Sequence, residues 1–257
     1  GHIMAIDAGA KMENLGHTKM MHDFDSGLMY EEPFLYVNME GKRFCNEDTG
    51  FVYMGNITKY LPRYNGANVD ANHPDGSLGW YCQIYDSDYM SYANSPVPEQ
   101  VMTKYIPGAV ENPQGVFTNL IDTYKADTIE ELADKLGFTG EAKDTFLATV
   151  DRYNELYDKQ EDEDFGKPAY RLSAIRTAPF YGCWLGASLL TTEQGIAINE
   201  KGQALDTNNQ PMPGLYITGD MSGSFFANNY PCLMAGVAMG RTLTFAIKAI
   251  KQMGGLE

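Results

Sequence analysis

The stretch of residues 214–250 constrains the fold of this 257-residue chain more than any other. It begins with β-branched and aromatic residues that close on Gly219 and Asp220, a pattern that predicts a buried strand ending in a turn. A loop rich in Gly and Ser follows. We expect a helix from about Leu233, with Pro231 at its start because proline tolerates the first helical turn.

The predicted helix opens with small residues. Gly236 and Gly240 are one turn apart and leave one face bare, so a flat group or another backbone can approach closely. A helix N-terminus also offers unpaired N–H groups and a partial positive charge. Strand, turn, loop and helix therefore suit the electron-rich edge of a cofactor, although they equally suit a tight helix–sheet packing with nothing bound.

Residues 214–220 and 239–245 resemble the C-terminal flavin motif of the fumarate reductase/succinate dehydrogenase flavoprotein family. That family includes soluble fumarate reductases, urocanate reductases and 3-ketosteroid dehydrogenases. The resemblance implies FAD, with the acidic residue contacting the ribityl and phosphate region and the helix N-terminus facing the flavin N1/O2 edge. The cofactor-binding residues that it implies are Gly219, Asp220, Ser222, Met234, Ala235, Gly236 and Val237.

Charge and composition exclude several other classes. The formal net charge of −15 argues against a nucleic-acid partner, which needs a basic surface, and against an anionic membrane surface. No apolar run reaches membrane-spanning length, so no membrane span is predicted. The cysteines are scattered without metal-ligand spacing, so we expect no metal site and buried free thiols at Cys45, Cys82, Cys183 and Cys232.

The middle of the chain carries a hairpin and two helices. Residues 38–47 read as strand, tight Glu-Gly turn and strand, and we expect carboxylates to position Arg43 in a structural role. Thr128 with Glu131 forms a capping box, which predicts a helix closed by Gly137, and a second helix is expected over about 141–159. The acidic run 161–164 lacks the spacing of a calcium loop and is predicted to be a solvated turn. Together these segments resemble the family's capping domain.

The beginning of the chain reads as a continuous helix over residues 1–10. It resembles a helix that the family carries in mid-chain, and no G-x-G-x-x-G fingerprint follows a strand anywhere in the sequence. The resemblance therefore implies a C-terminal fragment whose N-terminal dinucleotide-binding half is missing. Cellular location stays open between the cytoplasm and export, because Gly1 need not be the native start.

The predicted fold is an α+β capping domain plus a partial α/β (Rossmann-like) FAD-binding domain. The capping, substrate-binding domain would span 18–177, and the parts of the FAD-binding domain would be 1–17 and 178–257. The partial domain would expose an apolar face, which predicts a homodimer or pairing with the missing N-terminal half.

Departures from the family pattern shape the predicted chemistry. His22 stands near the place of a substrate-binding histidine in fumarate reductases, but the arginines expected near Phe51 and Asn229 are absent. Tyr53 and Tyr230 are candidate proton donors, because a phenol can hydrogen-bond a developing enolate and protonate it.

Three functions follow from these residues. The first is a FAD-dependent oxidoreductase that reduces or forms an activated C=C bond of the enone or enoate type in a small unsaturated substrate. The second is a flavin-free capping or interaction fragment without activity of its own. The third is a fumarate-type dicarboxylate reductase.

Overall fold

The computed structural model describes residues 1–14, 20–21, 29, 32–49, 54, 57–61, 81–99, 105–106, 110–111, 123–185, 187–188, 194–226 and 235–256. The chain forms two compact units, which we call the central unit (residues 21–188) and the terminal unit (residues 1–20 and 189–257). Each unit is mixed α/β in composition.

The described residues contain helices of very different lengths. The α-helices are α1 His2–Asp7, α2 Ile129–Lys135, α3 Gly140–Lys159 and α4 Val237–Met253. The strands are β1 Met20–Met21, β2 Leu35–Asn38, β3 Tyr81–Asp86, β4 Tyr105–Ile106, β5 Val110–Glu111, β6 Thr123–Ala126, β7 Phe180–Leu185, β8 Ala187–Ser188, β9 Gln203–Leu205 and β10 Pro211–Tyr216. None of the described helices is long and apolar enough to cross a membrane.

The central unit is built on an antiparallel four-stranded sheet in the order β2-β3-β7-β6. Every residue of β3 and β7 is buried, as expected for strands covered on both faces. Helices α2 and α3 cover one face. Gly182 of β7 lets α2 lie close, because a Cβ there would come within 2.8 Å of the Leu136 side chain. The other face packs on tyrosines and on Met54.

Both predicted helices of the central unit are confirmed. Thr128 caps α2 by accepting a hydrogen bond from the Glu131 backbone N–H at 3.1 Å, and Gly137 follows the helix with a φ of +86°. Helix α3 buries Phe146, Val150 and Tyr153 at helical spacing. The predicted hairpin is also present, although its return strand pairs with β2 only through a bridge between Val37 and Arg43.

A buried ionic network, comprising Arg43, Glu47, Asp162 and Lys167, holds this hairpin to α3 and to the segment after it. Arg43 donates two hydrogen bonds to Glu47, at 2.7 and 2.8 Å, and two to Asp162, both at 2.8 Å. Lys167, fully buried, lies 3.3 Å from Glu47 and donates to the Tyr153 hydroxyl at 2.6 Å. The predicted structural role of Arg43 between carboxylates is confirmed.

Arg43 and Asp162 keep their charges despite burial, because each is hydrogen-bonded to a partner of opposite charge. Burial alone would raise the pKa of Asp162, but hydrogen bonds from Arg43 and from the backbone N–H of Lys167 outweigh it and lower that pKa to about 2. Burial likewise opposes ionisation of Arg43, and its hydrogen bonds to both carboxylates nevertheless raise its pKa. Asp162 and Arg43 are therefore both ionised at neutral pH.

The prediction of a fully solvated acidic turn was wrong at one residue. Glu161, Glu163 and Asp164 are exposed, but Asp162 is buried beneath them. Its partner Arg43 is 119 positions away in sequence, so no local pattern marks Asp162 as the buried member. The predicted buried thiols are found at Cys45, Cys82 and Cys183; Cys232 lies outside the described residues.

Two elements of the terminal unit, α1 and β10, differ from prediction. Helix α1 stops at Asp7, and the chain turns at Gly9, whose φ of +98° is incompatible with a continuing helix. Strand β10 is present, yet it is exposed or half-buried throughout rather than buried. The reason is that β10 forms a two-stranded sheet with β9 alone among the described strands, so only one neighbour covers it.

Replacing Arg43 by Met is expected to destabilise the chain by about 3–5 kcal/mol, because Glu47 and Asp162 would stay buried without the cation that neutralises them. Urea unfolding measures the effect. The matched control is Lys42→Met, since the Lys42 side chain is 61% exposed and its change should stay within about 0.5 kcal/mol. Equal effects at the two positions would contradict the role given to the network.

Candidate functional site

The turn after β10 lies where the sequence places the Gly-Asp element. Residues Gly219–Met221 form a single 3₁₀ turn, and Gly219 has a φ of +72°, which favours glycine. The Ser222 hydroxyl donates to the Gly219 carbonyl at 2.7 Å and fixes the end of the turn. Asp220 is exposed, so its carboxylate lies at the surface of the terminal unit.

Helix α4 begins later than predicted, at Val237 instead of about Leu233. The cause is Gly236, the N-cap, whose left-handed φ of +81° cannot belong to a right-handed helix. Ala235 and Gly236 therefore form an exposed turn before the helix, and Val237 is its first residue. Met234 and Pro231 lie outside the described residues.

Within the described part of the chain, nothing covers the start of α4. No side chain of the described residues caps its first turn, and no acidic residue stands there. A Cβ added at Gly236 or at Gly240 would meet no described atom within 4 Å, so no described neighbour packs against these two small residues. The first N–H groups of α4 have no acceptor within the helix itself, and they carry the partial positive charge of a helix N-terminus.

The Gly-Asp turn lies beside this helix start within the terminal unit. A Cβ at Gly219 would be 3.7 Å from the Thr242 side chain on the second turn of α4. An exposed carboxylate, a helix start that no described side chain caps, and two glycines without described neighbours, Gly236 and Gly240, thus belong to one region. The region can accept hydroxyl donors at Asp220 and place an electron-rich edge at the start of α4, which fits the ribityl and ring portions of a flavin.

Ser222 has a different surrounding from the other predicted cofactor contacts. It is 1% exposed, and its hydroxyl receives a hydrogen bond from Arg241 at 2.5 Å while donating to Gly219. Its described contacts therefore hold the loop together, and direct contact with a cofactor stays a prediction.

The candidate catalytic residues were predicted from the sequence, and the structure does not test them. Tyr230, Tyr53 and His22 all lie outside the described residues, and their roles stay predictions. Sequence reasoning gave no role to Glu13, a buried carboxylate that contacts the loop after Ser222. A lone Glu has no spacing signal; only the glycines around it at Gly195 and Gly223 hint at a close approach.

Comparison with known proteins identifies the family. The family model described as FAD binding domain matches residues 18–232, so the chain belongs to the FAD binding domain family. The predicted flavoprotein membership, with FAD as the family's cofactor, is confirmed.

Two relatives and one solved structure illustrate what this chain is similar to. The vinyl phenol reductase of Lactiplantibacillus plantarum is 29% identical over 212 residues, which cover 82% of this chain and 40% of that protein. The 3-oxosteroid 1-dehydrogenase of Mycolicibacterium smegmatis is 28% identical, over 84% of this chain and 37% of that protein. This chain therefore spans about two fifths of the length of these relatives.

The solved structure is a 3-ketosteroid delta1-dehydrogenase from Sterolibacterium denitrificans in complex with 1,4-androstadiene-3,17-dione. It superposes with a TM-score of 0.69 at 22% identity, covering all of this chain (100%) and 46% of that one. At this level of identity the comparison establishes a shared fold.

Two substitutions at Gly240 distinguish an effect on helix stability from an effect on FAD affinity. Gly240→Ala should stabilise α4 by up to about 1 kcal/mol, because alanine is the better helix former and its methyl meets no described neighbour. In residues 1–257 alone, Gly240→Leu should keep most of that gain in thermal unfolding. In the full-length protein it should weaken FAD binding at least about tenfold if the flavin lies on this face. FAD affinity equal in the two variants would contradict the assignment.

Proposed function

We propose that the protein containing this chain is a FAD-dependent oxidoreductase acting on an activated C=C bond, of the enone or enoate type, in either direction. The observation that carries the proposal is that the start of α4, which no described side chain caps, lies beside the Gly219–Asp220 turn in a member of an FAD-binding family. The names of the two relatives, a vinyl phenol reductase and a 3-oxosteroid 1-dehydrogenase, support both the class and its two directions.

In this proposal the two units have separate tasks. The terminal unit is part of the FAD-binding domain, and the central unit is the capping domain that bounds the substrate. Gly219, Asp220, Ala235, Gly236 and Val237 hold and orient the flavin, which supplies hydride transfer at N5 when bound.

The protein's own chemistry would be proton transfer. The hydroxyl of Tyr230 or Tyr53 holds the proton that reaches the second carbon of the double bond, and His22 orients the substrate. The substrate is less charged than fumarate, because the arginines expected near Phe51 and Asn229 are missing from the sequence.

Tyr230→Phe in the full-length protein loaded with FAD should lower kcat by about 10²–10⁴-fold, since it removes the proton donor but keeps the ring. Turnover is followed as alkene-dependent reoxidation of the flavin band near about 450 nm. Tyr60→Phe is the control, because Tyr60 is 88% exposed. A full effect at Tyr53→Phe instead would transfer the role to Tyr53.

The same experiment decides between the alternatives. A full-length protein that shows no flavin absorbance after reconstitution would overturn the proposal and favour a flavin-free interaction fragment. Turnover of fumarate but of no enone or uncharged enoate would favour the dicarboxylate reductase.

The terminal unit also exposes an apolar surface of the kind that another polypeptide segment covers. Along α4, Met239, Leu243, Ile247 and Ile250 are each between 56% and 71% exposed and recur at helical spacing on one face. Ile3 and Met4 of α1 are exposed to 74% and 76%. We propose that further chain of the FAD-binding domain covers this surface, which agrees with the greater length of the relatives; a homodimer is the alternative.

Joint replacement of Leu243 and Ile247 by Asp tests this surface in two contexts. In residues 1–257 alone the pair should change thermal stability little, since both side chains are more than half exposed (59% and 56%). In the full-length protein it should lower stability by several kcal/mol, because two carboxylates would be buried without partners. Equal tolerance in both contexts would contradict coverage by the same chain. A dimer of the shorter chain that the variant dissociates would favour the homodimer.

A further inference from the structure

The loop that follows the Gly219–Asp220 turn is held from two sides by buried side chains of opposite charge. Glu13 accepts hydrogen bonds from the backbone N–H groups of Ser224 at 2.5 Å and Gly195 at 2.9 Å. Arg241 donates to the carbonyls of Ser222 and Gly223, the latter at 3.2 Å. One side chain thus binds N–H groups and the other binds carbonyls of the same few residues.

Both charges are buried, Glu13 at 7% exposure and Arg241 at 7%. Burial of a charge is costly unless hydrogen bonds compensate it, and here backbone dipoles supply much of that compensation. The Arg241 guanidinium also lies over the rings of Phe225 and Phe226, at 4.9 and 5.4 Å from their centroids. Two buried charged side chains hydrogen-bond to the backbone of one short loop. We conclude that they hold this loop in one conformation.

The backbone around Glu13 is shaped to admit the carboxylate. A Cβ at Gly223 would lie 2.4 Å from the Glu13 carboxyl carbon, and a Cβ at Gly195 would lie 2.4 Å from the Gly223 nitrogen. Ser224 itself has a φ of +62°, a conformation that is unfavourable for a non-glycine residue. Strain of this kind persists only where surrounding contacts impose it.

The loop joins two elements of the proposed flavin site. On one side, the Ser222 hydroxyl donates a hydrogen bond to the Gly219 carbonyl, next to Asp220. On the other side, the loop accepts hydrogen bonds from Arg241, which lies in α4 four residues after the helix starts at Val237. We infer that Glu13 and Arg241 are positioning residues that set Asp220 relative to the start of α4. This inference rests on the proposed function, since the reason for fixing these elements is the flavin between them.

The test uses the full-length protein and the isosteric variant Glu13→Gln. A carboxamide has one acceptor oxygen, so either Ser224 or Gly195 would face an N–H₂ group instead of an oxygen. The matched control is Glu200→Gln, an exposed glutamate of the same unit. Arg241→Lys loosens the loop from its other side and serves if Glu13→Gln does not fold.

Amide hydrogen exchange without FAD is the first readout. Glu13→Gln should speed exchange at least about tenfold at whichever of Ser224 and Gly195 faces the N–H₂ group, the loss expected when a hydrogen bond to a charged group is broken. Amides of α3 should be unchanged, and Glu200→Gln should match the wild type. Unchanged exchange at Ser224 and Gly195 would overturn the inference.

FAD affinity and the division between kcat and KM form the second readout. Glu13→Gln and Arg241→Lys should each weaken FAD binding by at least about tenfold and lower kcat at saturating FAD, with the KM for alkene within about twofold. Because both act through one loop, the double variant should lose less than the product of the single losses. Faster exchange with FAD affinity and kcat equal to Glu200→Gln would reduce the pair to a purely structural role and overturn the inference.

These outcomes are distinct from failure of the proposed function. If the wild type binds no FAD, the proposed function falls, and the positioning role falls with it. The exchange result would still decide whether Glu13 fixes the loop. If the wild type binds FAD and turns over alkene while the variants do the same, only the positioning inference fails.

Discussion

The central unit depends on the four charges of Arg43, Glu47, Asp162 and Lys167. They join the hairpin after β2, helix α3 through Tyr153, and the segment that leads to β7, which are distant in sequence. Paired hydrogen bonds from one guanidinium to two carboxylates fix its register, because the fork geometry of arginine accepts few alternatives.

The hairpin fits this position for a second reason. A Cβ at Gly41 would lie 2.3 Å from the Ala142 carbonyl oxygen, so the turn touches the backbone of α3 directly. Thr149 of α3 completes the contact by donating to the Gly41 carbonyl at 2.7 Å. Hydrogen bonds and close backbone approach thus fix the same contact between the hairpin and α3. This contact ties the helices to the sheet of the central unit.

Local signals in the sequence predicted much of this fold, and the misses have physical causes. Capping at Thr128 and the apolar spacing of α3 are local, so both helices were predicted within a residue or two of their observed bounds. The burial of Asp162 depends on a residue far away in sequence. The start of α4 depends on the backbone angle of Gly236, which glycine permits but does not require. The Gly219–Asp220 turn was predictable from its motif, whereas Glu13 has no motif at all.

The close packing around Glu13 also restricts how the sequence can change. Gly195 and Gly223 have no room for a side chain, and the carboxylate at Glu13 occupies the space that a side chain at Gly223 would need. A side chain at Gly223 would displace the acid, whereas a side chain at Gly195 would collide with the backbone of residues 221–223. These three positions, far apart along the chain, are thus coupled through one loop, because a side chain at either glycine would move the backbone that Glu13 holds.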